Sequence, residues 1–140
     1  MKKLASIVAA LMFTGVAQAK PAFTGQDFSG IYDCIGDDAH EGKYQGTVTM
    51  TLNREQSLGQ YGAYAFKLET PDFGVYLGEA AADGNKVAMH FALDEANTLD
   101  HGTGIATIKK NKQGRLSFRK FYYEPEYKGG NYGMEDCVKR

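Results

Sequence analysis

The chain has 140 residues, 43% of them hydrophobic and 24% charged, with 16 basic and 17 acidic side chains and only two cysteines. That length suits one domain with a modest core, and the near-neutral balance lacks the basic excess that nucleic acid attracts. No apolar run is long enough to cross a membrane as a helix, so neither nucleic acid nor a stable membrane anchor is expected.

Met1-Lys2-Lys3 is a short basic start, 4–16 is mostly apolar, and Ala17-Gln18-Ala19 is a small-x-small site. This pattern predicts a secretory signal peptide over 1–19, cleaved after Ala19, and hence a periplasmic or secreted protein. Taking Lys2 and Lys3 from the 16 basic residues leaves 14 against 17 acidic ones, a formal charge of −3 for the 121 residues from Lys20 to Arg140. A polar leader over 20–27, with Pro21 and Gly25, is expected to be loose. A single β domain is expected over 28–140.

The first strand is expected at 28–34, followed by an acidic loop over 36–42 bounded by glycines. Over 44–52, Val48, Met50 and Leu52 alternate with Thr47, Thr49 and Thr51, which marks a half-buried strand. After a polar turn over 53–59, Tyr64, Phe66 and Leu68 share a face of the strand 61–69, which Pro71-Asp72 ends. In the next strand, 73–82, Phe73, Val75 and Leu77 alternate. Asp83-Gly84 is a hairpin signal. Val87, Met89, Phe91 and Leu93 share one face of 86–93. The polar connection 94–100 has room for one helical turn. A β-branched run at 103–108 and a basic turn over 109–114 lead to the strand 116–123, which Glu124-Pro125-Glu126 stops. Gly129-Gly130 is a turn, and 131–138 is expected to return as a closing strand.

This makes about eight short antiparallel strands without a long helix, with seventeen glycines for bends against three prolines. The predicted fold is all-β, an up-and-down barrel, with a two-sheet sandwich as the alternative; closure removes exposed edges. Two cysteines in an exported chain predict one disulfide, Cys34–Cys137. A free thiol pair or a metal site are the rival readings, and two thiolates without CxxC make a poor metal site. Joining first and last strands suits the barrel, where they are neighbours.

Chemistry-bearing residues are sparse. Asp37, Asp38, His40 and Glu41 could offer ligands to a cation, but they match no EF-hand spacing and read as a solvated turn. His90 and His101 lack a nucleophile in a recognisable context: Ser29, Ser57 and Ser117 lie in no Gly-x-Ser-x-Gly. Glu124, Glu126, Glu79, Glu135 and Asp136 include carboxylates of the kind that cut glycosidic bonds, read here as turn and edge solvation. Gly102-Thr-Gly opens a strand and offers no helix N-terminus to a phosphate. The strongest candidate is the aromatic cluster Phe121, Tyr122, Tyr123, Tyr127 and Tyr132, of which one set fills the core and another is available for recognition. Tyr122, Tyr127 and Tyr132, with Glu124 and Glu126, are the binding candidates. No metal and no cofactor is expected.

The Phe28-Ser-Gly-Ile-Tyr32 start resembles the Gly-x-aromatic first strand of lipocalin-like (calycin) barrels. Tyr32-Asp-Cys34 and Asp136-Cys137 resemble the terminal cysteine pair of small periplasmic lysozyme inhibitors of the c-type-inhibitor family, over a few residues at each end. The resemblance implies a small exported β-barrel that inserts a loop into a lysozyme. The family's Ser- and Gly-containing loop ending in Tyr is missing, so no inhibitory residue is carried over. The functional expectation is a non-enzymatic binding module for a protein or a small apolar ligand. The alternatives are an inhibitor of a hydrolase such as lysozyme, and a small hydrolase or metal-binding protein.

Overall fold

A computed structural model of the chain describes residues 19–140; the expected signal peptide lies outside the described residues apart from Ala19. Nine strands follow in order: β1 (Gly30–Asp38), β2 (Gly42–Leu52), β3 (Tyr61–Thr70), β4 (Gly74–Asp83), β5 (Lys86–Leu93), β6 (His101–Thr107), β7 (Lys109–Lys110), β8 (Leu116–Glu124) and β9 (Asn131–Lys139). The only helical element among the described residues is a 3-10 turn at Tyr127–Gly129. Each long strand pairs antiparallel with its sequence neighbour, β1 pairs with β9, and β6 pairs with β8. The sheet therefore closes as an eight-stranded up-and-down barrel, with β7 as a short addition beside β8. Cys34 stands directly opposite Cys137 on β1 and β9, and the two form a disulfide with a Cα–Cα distance of 4.1 Å.

Alternation sorts the side chains as a barrel wall requires, one face inward and one outward. The interior from the N-terminal end of β1 to mid-barrel is apolar: Phe28, Tyr32, Val48, Met50, Tyr64, Phe66, Phe91, Ile108 and Phe118 are all buried. Phe28 plugs this end, where the Tyr32 hydroxyl donates to its carbonyl at 2.7 Å. The leader lies against the β2–β3 connection, with Thr24 N donating to Gly59 O at 2.7 Å and Gly59 N to Ala22 O at 3.1 Å.

One element differs from the sequence reading, and a second settles what it left open. The segment read as an acidic loop over 36–42 is mostly strand: β1 runs on to Asp38, leaving a turn at 39–41, and Asp38 points inward. Gly36 permits this, since a Cβ there would lie 2.1 Å from the Tyr44 ring. In β4 the alternating Val75 and Leu77 lie on the outer face. Leu68 pairs with Tyr76, so Tyr76, Ala80 and Ala82 face inward while Val75 and Leu77 are exposed. Both faces of this strand are apolar, and its phase was set by register with β3 rather than by its own pattern.

The strand directions give the barrel two chemically distinct ends. One rim holds the turns 39–41 and 71–73 and the connections 94–100 and 125–130. It carries Asp37, Asp38, Glu41, Asp72, Asp94, Glu95, Asp100, Glu124 and Glu126 against Lys43 and Lys128. The opposite rim carries Lys20, Arg54, Lys86, Lys109, Lys110, Lys112, Arg115, Lys139 and Arg140 against Asp27, Glu55 and Asp83. A net charge near zero thus hides a strong division along the barrel axis.

Candidate binding site at the acidic end

Beneath the acidic rim the barrel interior changes from apolar to polar. Inward positions of β1, β8 and β9 supply Asp38, Lys120, Glu124, Asn131 and Glu135, all buried. β2 and β4 supply Tyr44 and Tyr76. Gly133 makes room for the Tyr122 ring, whose hydroxyl would lie 2.3 Å from a Cβ at that position.

Lys120 and Glu135 are opposite one another on β8 and β9 and form an ion pair at 2.5 Å, with side chains 1% and 0% exposed. The Lys120 ammonium also sits 5.3, 5.2 and 5.4 Å from the ring centroids of Phe66, Phe91 and Tyr122. It is a caged cation, stabilised by the negative faces of three rings. Tyr44 donates to Glu135 Oε1 at 3.2 Å; Glu135 Oε2 has the charge contact with Lys120 but no hydrogen-bond partner.

Asp38 is the hub of the rim. Its Oδ1 accepts from the backbone N–H groups of His40 (2.8 Å) and Glu41 (2.9 Å), and its Oδ2 from the Tyr122 hydroxyl (2.6 Å) and Asn131 Nδ2 (2.8 Å). Burial pushes its carboxyl up, but these donors outweigh it and hold the carboxyl below the ordinary range. Asn131 Nδ2 also donates to Glu124 Oε2 at 2.5 Å. Because Nδ2 faces two carboxylates, the amide orientation is fixed. Glu124 has the opposite environment: burial first, then the charges of Asp100 and Asp38, push its pKa up to about 7 against the pull of Asn131 and Lys120. Asp100 is also raised, by burial above all, although the Tyr76 hydroxyl donates to its Oδ2 at 2.9 Å.

These groups line a cavity of about 40 Å³, room for about three water molecules. Glu41, Phe73, Asp100 and Tyr127 are the half-buried residues of its lining. Two of the residues that line it carry a buried oxygen with no hydrogen-bond partner, Asp100 Oδ1 and Asn131 Oδ1. A buried acceptor left without a donor costs about 1–3 kcal/mol. At the mouth, Glu41 Oε1 accepts from Tyr127 at 2.8 Å and from the Lys128 ammonium, which fastens the 3-10 turn to the β1–β2 turn.

Compared with protein-family models, with curated proteins and with solved structures, the chain matches none. The site is therefore read from its own geometry.

Of the sequence candidates, Tyr122 and Glu124 lie inside the barrel and Tyr127 lies at the mouth. Tyr132 and Glu126 are on the outside, and Tyr132 is 58% exposed. The structure thus brings Tyr122, Glu124 and Tyr127 to one cavity and leaves Tyr132 on the outer wall. His90 is exposed, and His101 Nε2 stands 3.9 Å from Glu126 Oε2, beyond hydrogen-bond reach. The serine hydroxyls serve the backbone: Ser29 accepts from Leu52 N, Ser57 bridges Asn53 O and Ala63 N, and Ser117 donates to Lys109 O. The one close grouping of metal-ligand types among the described residues is Cys34, Glu135 and Cys137, and both its sulfurs are spent on the disulfide. Sequence reasoning missed Asp38, Asp100, Lys120 and Asn131 as parts of one site. The inward alternation of Phe118, Lys120, Tyr122 and Glu124 was the available signal: a lysine in phase with core residues.

Proposed function

We propose that this chain is an exported, non-enzymatic binding module that takes a cationic partner at the acidic end of its barrel. What carries this reading is the division of charge along the axis, with acids gathered around the one rim that opens into a polar cavity. Complementary charge raises the encounter rate and orients the partner before contact. A cavity of about 40 Å³ favours a charged group on a protein or slender ligand over a bulky apolar molecule inside the barrel, since ligand pockets usually measure several hundred Å³.

The reading is tested by calorimetric titration with a basic protein or peptide across ionic strength. Binding should weaken steeply with salt. Asp94→Lys with Glu95→Lys on the acidic rim should weaken it tenfold or more, whereas Lys110→Glu with Lys112→Glu at the far rim should not. Equal effects at both rims would overturn the assignment.

Inhibition of a hydrolase such as lysozyme is a second reading, favoured by one observation. Tyr127 and Lys128 both contact Glu41, so the 125–130 connection is fastened to the β1–β2 turn at the rim, where an inserting loop would stand. Its separate readout is the hydrolase's turnover in the presence of this protein: unchanged turnover at saturating binding would remove it.

A further inference from the structure

We propose that the cavity under the acidic rim binds a primary ammonium group carried on an unbranched alkyl chain. The inference rests on the reading that the acidic end takes a cationic partner, and it names the group that enters. Asn131, one of the residues that line the cavity, is 1% exposed, turns its amide nitrogen to Asp38 and Glu124, and leaves its buried Oδ1 without a donor. Asp100 Oδ1 is a second such acceptor. An ammonium brings three N–H donors and no acceptor, which is what these two unpartnered acceptors lack.

The charge balance agrees. Glu41 is taken by Lys128 and Glu135 by Lys120, whereas Asp38, Asp100 and Glu124 make no ion pair among the described residues. The remaining wall is mostly aromatic, with Phe73, Tyr76, Phe91 and Tyr127 among its rings, and also includes Lys120, whose charge is already paired with Glu135. On the cavity lining itself, Lys120 shows a primary ammonium held in such surroundings, by a carboxylate and three rings.

Competing cations fit less well. A guanidinium is a rigid plane of five donors, more than the two unpartnered acceptors can take up. A quaternary ammonium has no N–H to give the two acceptors. A divalent metal needs several ligand atoms already converging, and no His, Cys, Asp or Glu trio among the described residues does so here. A primary ammonium has two sources, the tip of a lysine on a partner chain or a free alkyl diamine.

The test is calorimetry on the full barrel at low salt with four probes: 1,4-diaminobutane, a peptide with one lysine and a blocked N-terminus, its arginine counterpart, and tetramethylammonium. The expected result is one-to-one binding of the lysine peptide or the diamine, at least tenfold tighter than the other two. Binding of the diamine alone assigns a free amine; binding of the peptide alone, or both, assigns a lysine tip. Asp100→Asn should cost at least tenfold, and the side-chain amide NMR signal of Asn131 in the wild type should shift on saturation. If lysine and arginine peptides bind alike, with Asn131 unmoved and Asp100→Asn without effect, the cavity proposal falls and recognition by the acidic rim stands. If no cation binds, both fall.

Discussion

Glu124 shows how burial sets a protonation state. Its folded pKa of about 7 lies above the ordinary 4.5 of an unfolded glutamate. The folded chain therefore holds a proton between these values that the unfolded chain has released. The associated stability is fully present below about pH 4.5 and is lost as pH rises through about 7. At about 1.4 kcal/mol per unit the loss is about 3 kcal/mol. Urea melts of wild type should show this decline between pH 5 and 8. Glu124→Gln, which still accepts from Asn131, should remove it and be the more stable at pH 8. A parallel decline in both proteins would refute the assignment. Asp38 behaves oppositely: its carboxyl is held below the ordinary value, so its contribution is present at neutral pH and is lost as acid protonates it.

The Lys120–Glu135 pair belongs to the same scale. Removing one buried partner strands the other, at a cost of about 3–5 kcal/mol, whereas replacing both with apolar groups is often close to neutral. Lys120→Met alone should therefore destabilise strongly, and adding Glu135→Leu should recover most of the loss. A denaturation double-mutant cycle measures this. Additive losses would mean that the two charges act independently.

Among the elements, β1, β8 and β9 build the site because two of them keep an inward glycine. At Gly133 an added Cβ would strike the Tyr122 hydroxyl, and at Gly36 the Tyr44 ring. Gly133→Ala should cost about 1–3 kcal/mol through overpacking and displace Tyr122 from Asp38. Unchanged thermal stability, with the near-ultraviolet tyrosine spectrum intact, would show that the ring has room to yield. Legibility in the sequence follows the same elements. β2 and β5 could be read because only one face of each is apolar. β4 could not, since Val75 and Leu77 are as apolar as Tyr76 and Ala80, and only pairing with β3 decides between them. Asp38 looked like loop because acids beside glycine usually are, and nothing local shows that a carboxylate there will meet Tyr122 and Asn131, 84 and 93 residues away. Closure brings those strands together, and the site exists only after it.

Across the whole molecule, the disulfide joins strands that closure makes neighbours, at a sequence separation of 103. A loop of that length limits the unfolded chain by about 4–5 kcal/mol in the entropy model. Cys34→Ala with Cys137→Ala should fold to the same barrel with a lower urea midpoint. The slope of the urea transition should rise as well, because the freed unfolded chain exposes more surface, while the apolar core from Phe28 to Phe118 does not depend on the bond. An unfolded double variant would mean that closure itself needs the crosslink.

The separation of acids and bases has a last consequence. The barrel is a permanent electric dipole whose axis is its own long axis. Any external field exerts a torque on it even though its net charge is small. Within about 10 Å of a negatively charged surface at 0.1 M salt, the Lys109–Arg115 side turns inward and the cavity faces away. A positively charged surface turns the molecule over and brings the cavity to it. Orientation would then precede recognition, and the same chain would meet one kind of surface with its mouth exposed and the other with its mouth closed off.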